Sequence, residues 1–280
     1  MLAIALALGS AACYGVSNFV GPQLSRRHTL VAVIVVSQLA ALIACAGYAL
    51  AEGSPPLDAH DTAVAFLAGA GNAGGLIGFY RAAELGPISV AAPIGALGAI
   101  VPVLWGLTGG DSLTAFDGAG LALALCGGAL AARVTPEEDR VYPDPRAGVF
   151  WACGSAFAFG VFLTALPDVS DVSRGWALLD ARIALIAIVL LWAGRRLAAI
   201  RVADPRTMGL LAVPGLLLVA GTVLYTAAAD EGQLSIVSVL GSLFPVFTVG
   251  LSMVILRERL SAVQTVGVAA ALTGIVLIAA

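Results

Sequence analysis

The chain contains no lysine and only two histidines, and charged residues of every kind make up 11% of it. Soluble domains carry roughly 25% charge, so this scarcity, with 60% hydrophobic residues and a mean hydropathy of +1.00, excludes an ordinary water-soluble fold. The chemistry is as sparse as the charge. Cys13, Cys45, Cys126 and Cys153 lie in four different apolar stretches without C-x-x-C spacing and read as small apolar side chains. His28 and His60 both fall in connections, so no metal site and no nucleophile constellation can be assembled from them. Nothing resembles an ATP-binding loop, and no cofactor, metal, catalytic residue or nucleic-acid partner is expected. Fourteen basic residues that are all arginine, among abundant Ala, Gly, Val and Leu, fit a GC-rich bacterial coding sequence. The expected location is therefore a bacterial inner (plasma) membrane, crossed several times.

What the chain does have is long apolar runs. A span needs about 20 apolar residues, and the runs predict ten, at 2–20, 30–51, 62–85, 87–108, 115–133, 147–166, 176–194, 207–229, 233–256 and 262–279. Gly21-Pro22 is expected to stop the first span, Gly53-Ser54-Pro55-Pro56 the second, Gly109-Gly110 the fourth and Pro167-Asp168 the sixth. Gly86-Pro87 divides the third from the fourth. Proline cannot continue a helix and glycine closes one cheaply. The longest connection, VTPEEDRVYPDP at 134–145, is charged, rich in proline and near the middle of the chain.

On either side of that connection the sequence repeats itself. Gly9-Ser10-Ala11, Tyr14 and Gly15 recur as Gly154-Ser155-Ala156, Phe159 and Gly160. AAELGPISVAAPIGAL (82–97) recurs as AADEGQLSIVSVLGSL (228–243), which sets Glu84 opposite Asp230, and LTAFDGAGLALALCG (113–127) recurs as LSAVQTVGVAAALTG (260–274). Two five-span units, 1–135 and 146–280, joined by a linker at 136–145, are expected. An odd number of spans per unit sends the second copy into the membrane from the opposite side. The expected fold class is thus an all-α integral membrane protein of ten transmembrane helices in two inverted five-helix repeats, an arrangement typical of transporters.

ACYGVSNFV (12–20), FYRAAELGPISVAAPI (79–94) and above all residues 224–278 carry a resemblance. In the last stretch Ser235, Pro245, the run Glu258-Arg259-Leu260-Ser261 and Gly267 stand in an order that resembles the EamA-type members of the drug/metabolite transporter superfamily. The resemblance implies a ten-helix carrier of small metabolites working by alternating access, and it leaves the metabolite open. The first half reads GGDSLTAF (109–116) where the second reads LRERLSAV (256–263), so any role for the full charged run belongs to the second half alone.

Candidate site residues follow from position. Pro93 and Pro102 in the fourth span, and Gly241 and Pro245 in the ninth, predict broken helices lining one cavity, because carbonyls freed by proline cannot face lipid. Asn18, Gln38, Asn72, Tyr80, Arg182 and Tyr225 are polar groups inside spans and face the bundle interior, for substrate binding or for hydrogen bonds between helices. Arg182, about six residues into the seventh span and paired by the repeat with Ser37, is expected to face the cavity and hold an anionic group, to pair with a carboxylate such as Glu84, or to snorkel to the near interface. Glu84 and Asp230, at matching span ends, are candidates for proton coupling. GAGNAG (69–74) lies in an apolar helix with no strand before it, so Gly71-x-x-x-Gly75 and Gly74-x-x-x-Gly78 read as small-residue packing faces and not as a nucleotide loop. Thr114 with Asp117, and Ser261 with Gln264, are spaced as capping boxes.

All arginines except Arg174 and Arg182 lie in or beside odd-numbered connections, which places those connections in the cytoplasm and both termini outside. Family resemblance implies the reverse. The function expected is a secondary transporter of a small amino-acid-like, nucleoside-like or drug-like metabolite, acting in efflux and not as an enzyme. The lipid bilayer and a small-molecule substrate are its expected partners, with a homodimer left open. The competing class is a membrane-embedded enzyme or lipid-handling protein.

Overall fold

The computed structural model describes residues 1–25, 27–85, 94–95, 97–109, 114–131, 143–194, 204–255 and 262–279. Among these residues the regular structure is helical throughout, with no strand. The elements are α1 (Leu2–Ser25), α2 (Leu30–Glu52), α3 (Ala59–Leu85), a short 3₁₀ turn (Leu97–Ala99), α4 (Ile100–Thr108), α5 (Ala115–Ala131), α6 (Pro145–Ser170), α7 (Arg174–Ala193), α8 (Pro205–Asp230), α9 (Leu234–Gly241), α10 (Phe244–Ile255) and α11 (Ala262–Ala279). Among the described residues six helices, α1, α2, α3, α6, α7 and α8, are long and apolar enough to cross a membrane. α4, α5, α9 with α10, and α11 supply shorter apolar segments. In lipid a backbone must satisfy its own hydrogen bonds, which is why apolar runs rich in β-branched residues still form helices here.

The helix starts carry caps. Thr29 accepts from the Ala32 N–H at 3.4 Å, Ser173 from Trp176 at 3.4 Å and Asp144 from Ala147 at 3.0 Å. Asp204 accepts from the N–H groups of Thr207 and Arg206, which hold its carboxyl below the usual carboxylate range. In the expected capping box Thr114 donates its backbone N–H to Asp117 Oδ2 at 2.9 Å, and Thr114 Oγ1 accepts from the Asp117 N–H at 3.2 Å. The second box, at Ser261, lies outside the described residues, as do Gly86 and Pro87. α2 ends on Gly53 in the left-handed region (φ 69°), where a side chain would be strained.

Two expected stops are not stops. α1 continues through Gly21-Pro22 to Ser25, and α6 through Pro167 to Ser170. A proline deletes one helical hydrogen bond, and near a helix end the freed carbonyl finds another donor. For α6 that donor is visible: Pro167 leaves the Leu163 carbonyl without its partner four residues on, and the Tyr225 hydroxyl donates to it at 2.9 Å.

Packing runs mainly between the two halves. α3 lies against α6 and α7, α1 against α8, α2 against α7 and α8, and α5 against α11, while α1 touches α9 and α10 and α6 touches the 3₁₀ turn and α4. Glycine permits the tightest of these approaches. The faces of Gly71, Gly74, Gly75 and Gly78 all meet α6, at Ala158, Phe159, Ser155 and their neighbours, as the small-residue reading expects. A side chain on Gly127 would strike the backbone of Gly267 and Ala271, and one on Gly274 that of Gly120 and Ala124. Large apolar side chains such as Ile43, Leu50, Phe150, Phe157 and Leu191 point outward, as they do on a surface solvated by lipid.

Candidate functional site

The site is built where α2 and α7 cross. Thr29 and Ser173 cap these two helices, and nine residues beyond each cap stand Gln38 and Arg182. Gly69 makes its close approach to the backbone of Ala181, and Gly215 makes the matching approach to Ser37. The counterpart of Arg182 is therefore Gln38, and not Ser37 as the sequence repeat suggests. The two counterparts meet, with Arg182 Nη1 donating to Gln38 Oε1 at 2.7 Å.

Arg182 does not snorkel. As the ninth residue of α7 it lies about 12 Å along the axis, and it is 4% exposed. Guanidinium remains charged in proteins, yet among the described residues no carboxylate reaches salt-bridge distance of it; its polar neighbours are Gln38 and the Cys45 thiol. Charge buried in this way is expensive on its own and marks a functional position in membrane proteins.

Beside the guanidinium lies a small cavity with room for about one water molecule. Asn72 from α3, Phe162 and Leu166 from α6, Leu178, Ala181 and Arg182 from α7, and Thr222 from α8 line it. Thr222 and the Tyr14 hydroxyl hydrogen-bond at 3.0 Å, and Tyr14 is close enough to feel the Arg182 charge. The ring of Tyr14 rests on Gly221 as that of Phe159 rests on Gly75. Tyr14, Phe162 and Thr222 were not among the sequence candidates. The signal for two of them was present, because the repeat sets Tyr14 against Phe159 and places Thr222 opposite Leu76, a polar group against an apolar one each time.

Of the expected substrate-binding residues, the structure thus gathers Gln38, Asn72 and Arg182. Asn18 is exposed on α1, away from this cavity, while its neighbour Ser17 is buried and donates to the Pro214 carbonyl at 2.9 Å. Tyr225 is fully buried, but its hydroxyl serves the carbonyl freed by Pro167. Tyr80 and Glu84 are on α3 with side chains outside the described residues, and Pro93 lies wholly outside them.

The ninth span is interrupted, where α9 ends at Gly241 and α10 begins at Phe244, whereas in the fourth α4 runs on through Pro102 and Pro93 lies outside the described residues. Neither lines the described cavity. Gly241 packs on the Tyr225 ring, Gly98 on the Ala156 carbonyl of α6, and Pro102 is buried within α4; Pro245 occupies the first turn of α10, with a side chain outside the described residues. Gly241 and Gly98 meet neighbouring helices, whereas the cavity belongs to continuous helices.

Asp230 ends α8 in an ion pair with Arg174, at the start of α7. Close by, Glu52 Oε2 accepts from the Gly175 N–H at 2.8 Å, Ser54 Oγ at 2.8 Å and Ser173 Oγ at 3.1 Å, so three connections on this side are clasped together. At the start of α3 the groups of Asp58, His60 and Asp61 lie within 4.8 Å of one another, a cluster that the scattered histidines did not announce. Its members are committed to the helix start, with Asp58 Oδ1 accepting the Asp61 N–H at 2.8 Å and His60 Nδ1 against Asp61 Oδ1 at 3.1 Å. The four cysteines are free thiols.

Comparison with known proteins agrees with this architecture. The model of the EamA-like transporter family matches residues 146–280. A solved crystal structure of another protein superposes with a TM-score of 0.78 over 98% of this chain and 95% of that one, at 15% sequence identity. That likeness speaks for the fold alone. A search of curated proteins finds no match. Members of the matched family are transporters and not enzymes. Residues 146–280 thus carry the EamA-like transporter pattern, a family that implies a membrane transporter of the drug/metabolite type, and with the long apolar helices this match marks a multi-pass membrane protein.

Proposed function

We propose that the protein is a secondary transporter that moves a small metabolite bearing an anionic group by alternating access, with the cargo held between α2 and α7 at Arg182. The observation that carries this reading is the buried Arg182 guanidinium, turned to a cavity and joined to a neutral partner, Gln38. A buried ion without its counter-ion costs several kcal/mol. An anionic cargo group supplies that counter-ion, and Asn72 and Thr222 offer neutral hydrogen bonds beside it. The cavity is far smaller than a metabolite, so the site is closed in this conformation and opens to load.

Alternating access rests on two five-helix units, 1–135 and 146–280, joined by the linker 136–145 and inserted in opposite directions. Matched close approaches support this arrangement: Gly127 and Gly274, Gly69 and Gly215, and Gly75 and Gly221 each make in one half the contact that their counterpart makes in the other. Rocking about the α2–α7 crossing exposes Arg182 first to one side and then to the other. Asp230, held by Arg174 at the membrane edge, is poorly placed to exchange protons with the cavity. Glu84, at the end of α3, is the remaining candidate for proton coupling. The arginine bias supports odd-numbered connections in the cytoplasm; a C-terminal reporter active only in the cytoplasm stays silent on this topology, and the direction proposed for transport is efflux across a bacterial inner membrane.

The test is uptake into proteoliposomes across a panel of organic anions, cations and neutral metabolites, with and without a pH gradient. Wild-type protein is expected to move anions, and Arg182→Ala to move none while inserting normally. Unchanged transport by that variant removes Arg182 from the site. No movement of any solute by correctly folded protein favours the membrane-enzyme class instead.

A further inference from the structure

The charge inventory of the cavity narrows the cargo further, on the assumption that Arg182 holds it. Among the described residues the cavity lining provides one positive charge, from Arg182, and no negative one. Its remaining polar groups, Asn72 and Thr222, are neutral, as are Gln38 and Tyr14 behind them. The acids described nearest along the same helices are engaged elsewhere. Asp180 accepts from Thr62 Oγ1 at 3.3 Å, Asp230 pairs with Arg174, and Glu52 is bound by Ser54, Ser173 and the Gly175 N–H. Phe162, Leu166 and Leu178 make the rest of the wall apolar.

We infer that the cargo is a small monocarboxylate with an apolar or hydroxyl-bearing body and no ammonium group. Its carboxylate meets Arg182 through paired N–H···O bonds, the geometry a guanidinium favours. A hydroxyl on its second carbon finds Asn72 and Thr222, and its body lies on Phe162, Leu166 and Leu178. The zwitterionic amino acid of the same skeleton brings an ammonium group that no carboxylate among the described lining residues can neutralise and that Arg182 repels. A dicarboxylate brings a second negative charge with no second cation to receive it. Selectivity therefore arises from charges the cavity lacks as much as from the one it has.

The experiment uses the full chain in proteoliposomes with the membrane potential clamped, and compares initial uptake of labelled 2-hydroxy-4-methylpentanoate, leucine and isobutylsuccinate. The hydroxy acid is expected to enter at least about tenfold faster than either competitor, and Arg182→Gln to abolish its uptake. Asn72→Asp places a carboxylate in the lining and is expected to shift the ratio toward leucine by about tenfold or more. The Asn72→Asp ratio still reads the charge argument if Arg182→Gln fails to fold. Leucine uptake equal to or faster than that of the hydroxy acid, and lost in Arg182→Gln, overturns the monocarboxylate inference while leaving the Arg182 site intact. Uptake indifferent to Arg182→Gln in a folded variant overturns both, as does failure of the folded wild type to move any of the three acids.

Discussion

Two helix pairs in this molecule share a geometry and differ in chemistry. α5 and α11 meet through Gly127 and Gly274, each pressed against the backbone of the partner helix, with Ala124 and Ala271 buried at the contact. α2 and α7 also pack closely, but the residues that face each other at the same depth are Gln38 and Arg182, and a cavity opens beside them. The first pair is dry and could hardly be closer. The second keeps a buried charge with a small void beside it. Replacing a buried ion pair by apolar groups of similar volume is often neutral or stabilising, so stability alone gives no reason for Arg182 at this crossing, whereas the proposed cargo site gives one.

The sharpest way to break the comparison is to neutralise the polar crossing. Arg182→Gln is expected to lower transport by at least about 100-fold, which corresponds to about 2.7 kcal/mol, while thermal stability in detergent stays level or rises. A variant that loses transport and stability together makes Arg182 a structural group like the glycines of α5 and α11. At the dry pair the expectation is reversed. Gly127→Val or Gly274→Val forces a branched side chain into backbone and is expected to cost about 1–3 kcal/mol, read as a lower melting temperature and loss of the monodisperse peak in size-exclusion chromatography. Normal stability in either variant would show that α5 and α11 part more readily than their contact suggests.

A smaller effect separates Tyr225 from the site. Tyr225→Phe leaves the Leu163 carbonyl, already released by Pro167, without its donor. The expected loss is about 1–2 kcal/mol of stability, with the order of preference among solutes unchanged. A changed preference returns Tyr225 to the cargo site where the sequence had placed it.

The membrane class and most span positions were legible because lipid imposes length and apolarity on every crossing. Cap residues, the small-residue faces of α3 and the broken ninth span were legible for equally local reasons. Pro22 and Pro167 misled, because a proline reads as a stop until the chain reveals a donor for the carbonyl it frees. Gln38, Asn72 and Arg182 stood out as polar groups in apolar helices. Their company did not: Phe162 is one apolar residue among many, and Tyr14 and Thr222 gain meaning only when α1 and α8 are brought together. The broken helices drew attention away from the continuous ones, since a break frees carbonyls whether it serves a cavity or a neighbouring ring. Arg182 was set against Ser37 because the repeat offset drifts along the chain, and the caps Thr29 and Ser173 correct that register by one residue.

The finest version of the comparison lies between two aromatic rings. Tyr14 on Gly221 and Phe159 on Gly75 make the same contact, and only the former carries a hydroxyl, bonded to Thr222 at the cavity wall. Tyr14→Phe removes that hydrogen bond but leaves the Thr222 hydroxyl its second partner, the Leu218 carbonyl at 2.7 Å. Interhelical hydrogen bonds in membranes average about 0.6 kcal/mol, so stability should fall by about that amount. The effect on transport should exceed the effect on stability, because Thr222, whose hydroxyl loses the Tyr14 partner, lines the proposed cargo site. Phe159→Tyr, at the matching contact, lacks an equivalent of Thr222, since the repeat puts Leu76 there. It is expected to leave cargo affinity unchanged. Measured as KM for the transported anion, a shift confined to Tyr14→Phe would show that the two halves share a scaffold and that the binding chemistry has been added to one side of it; equal shifts in both variants would mean that the rings act through packing alone.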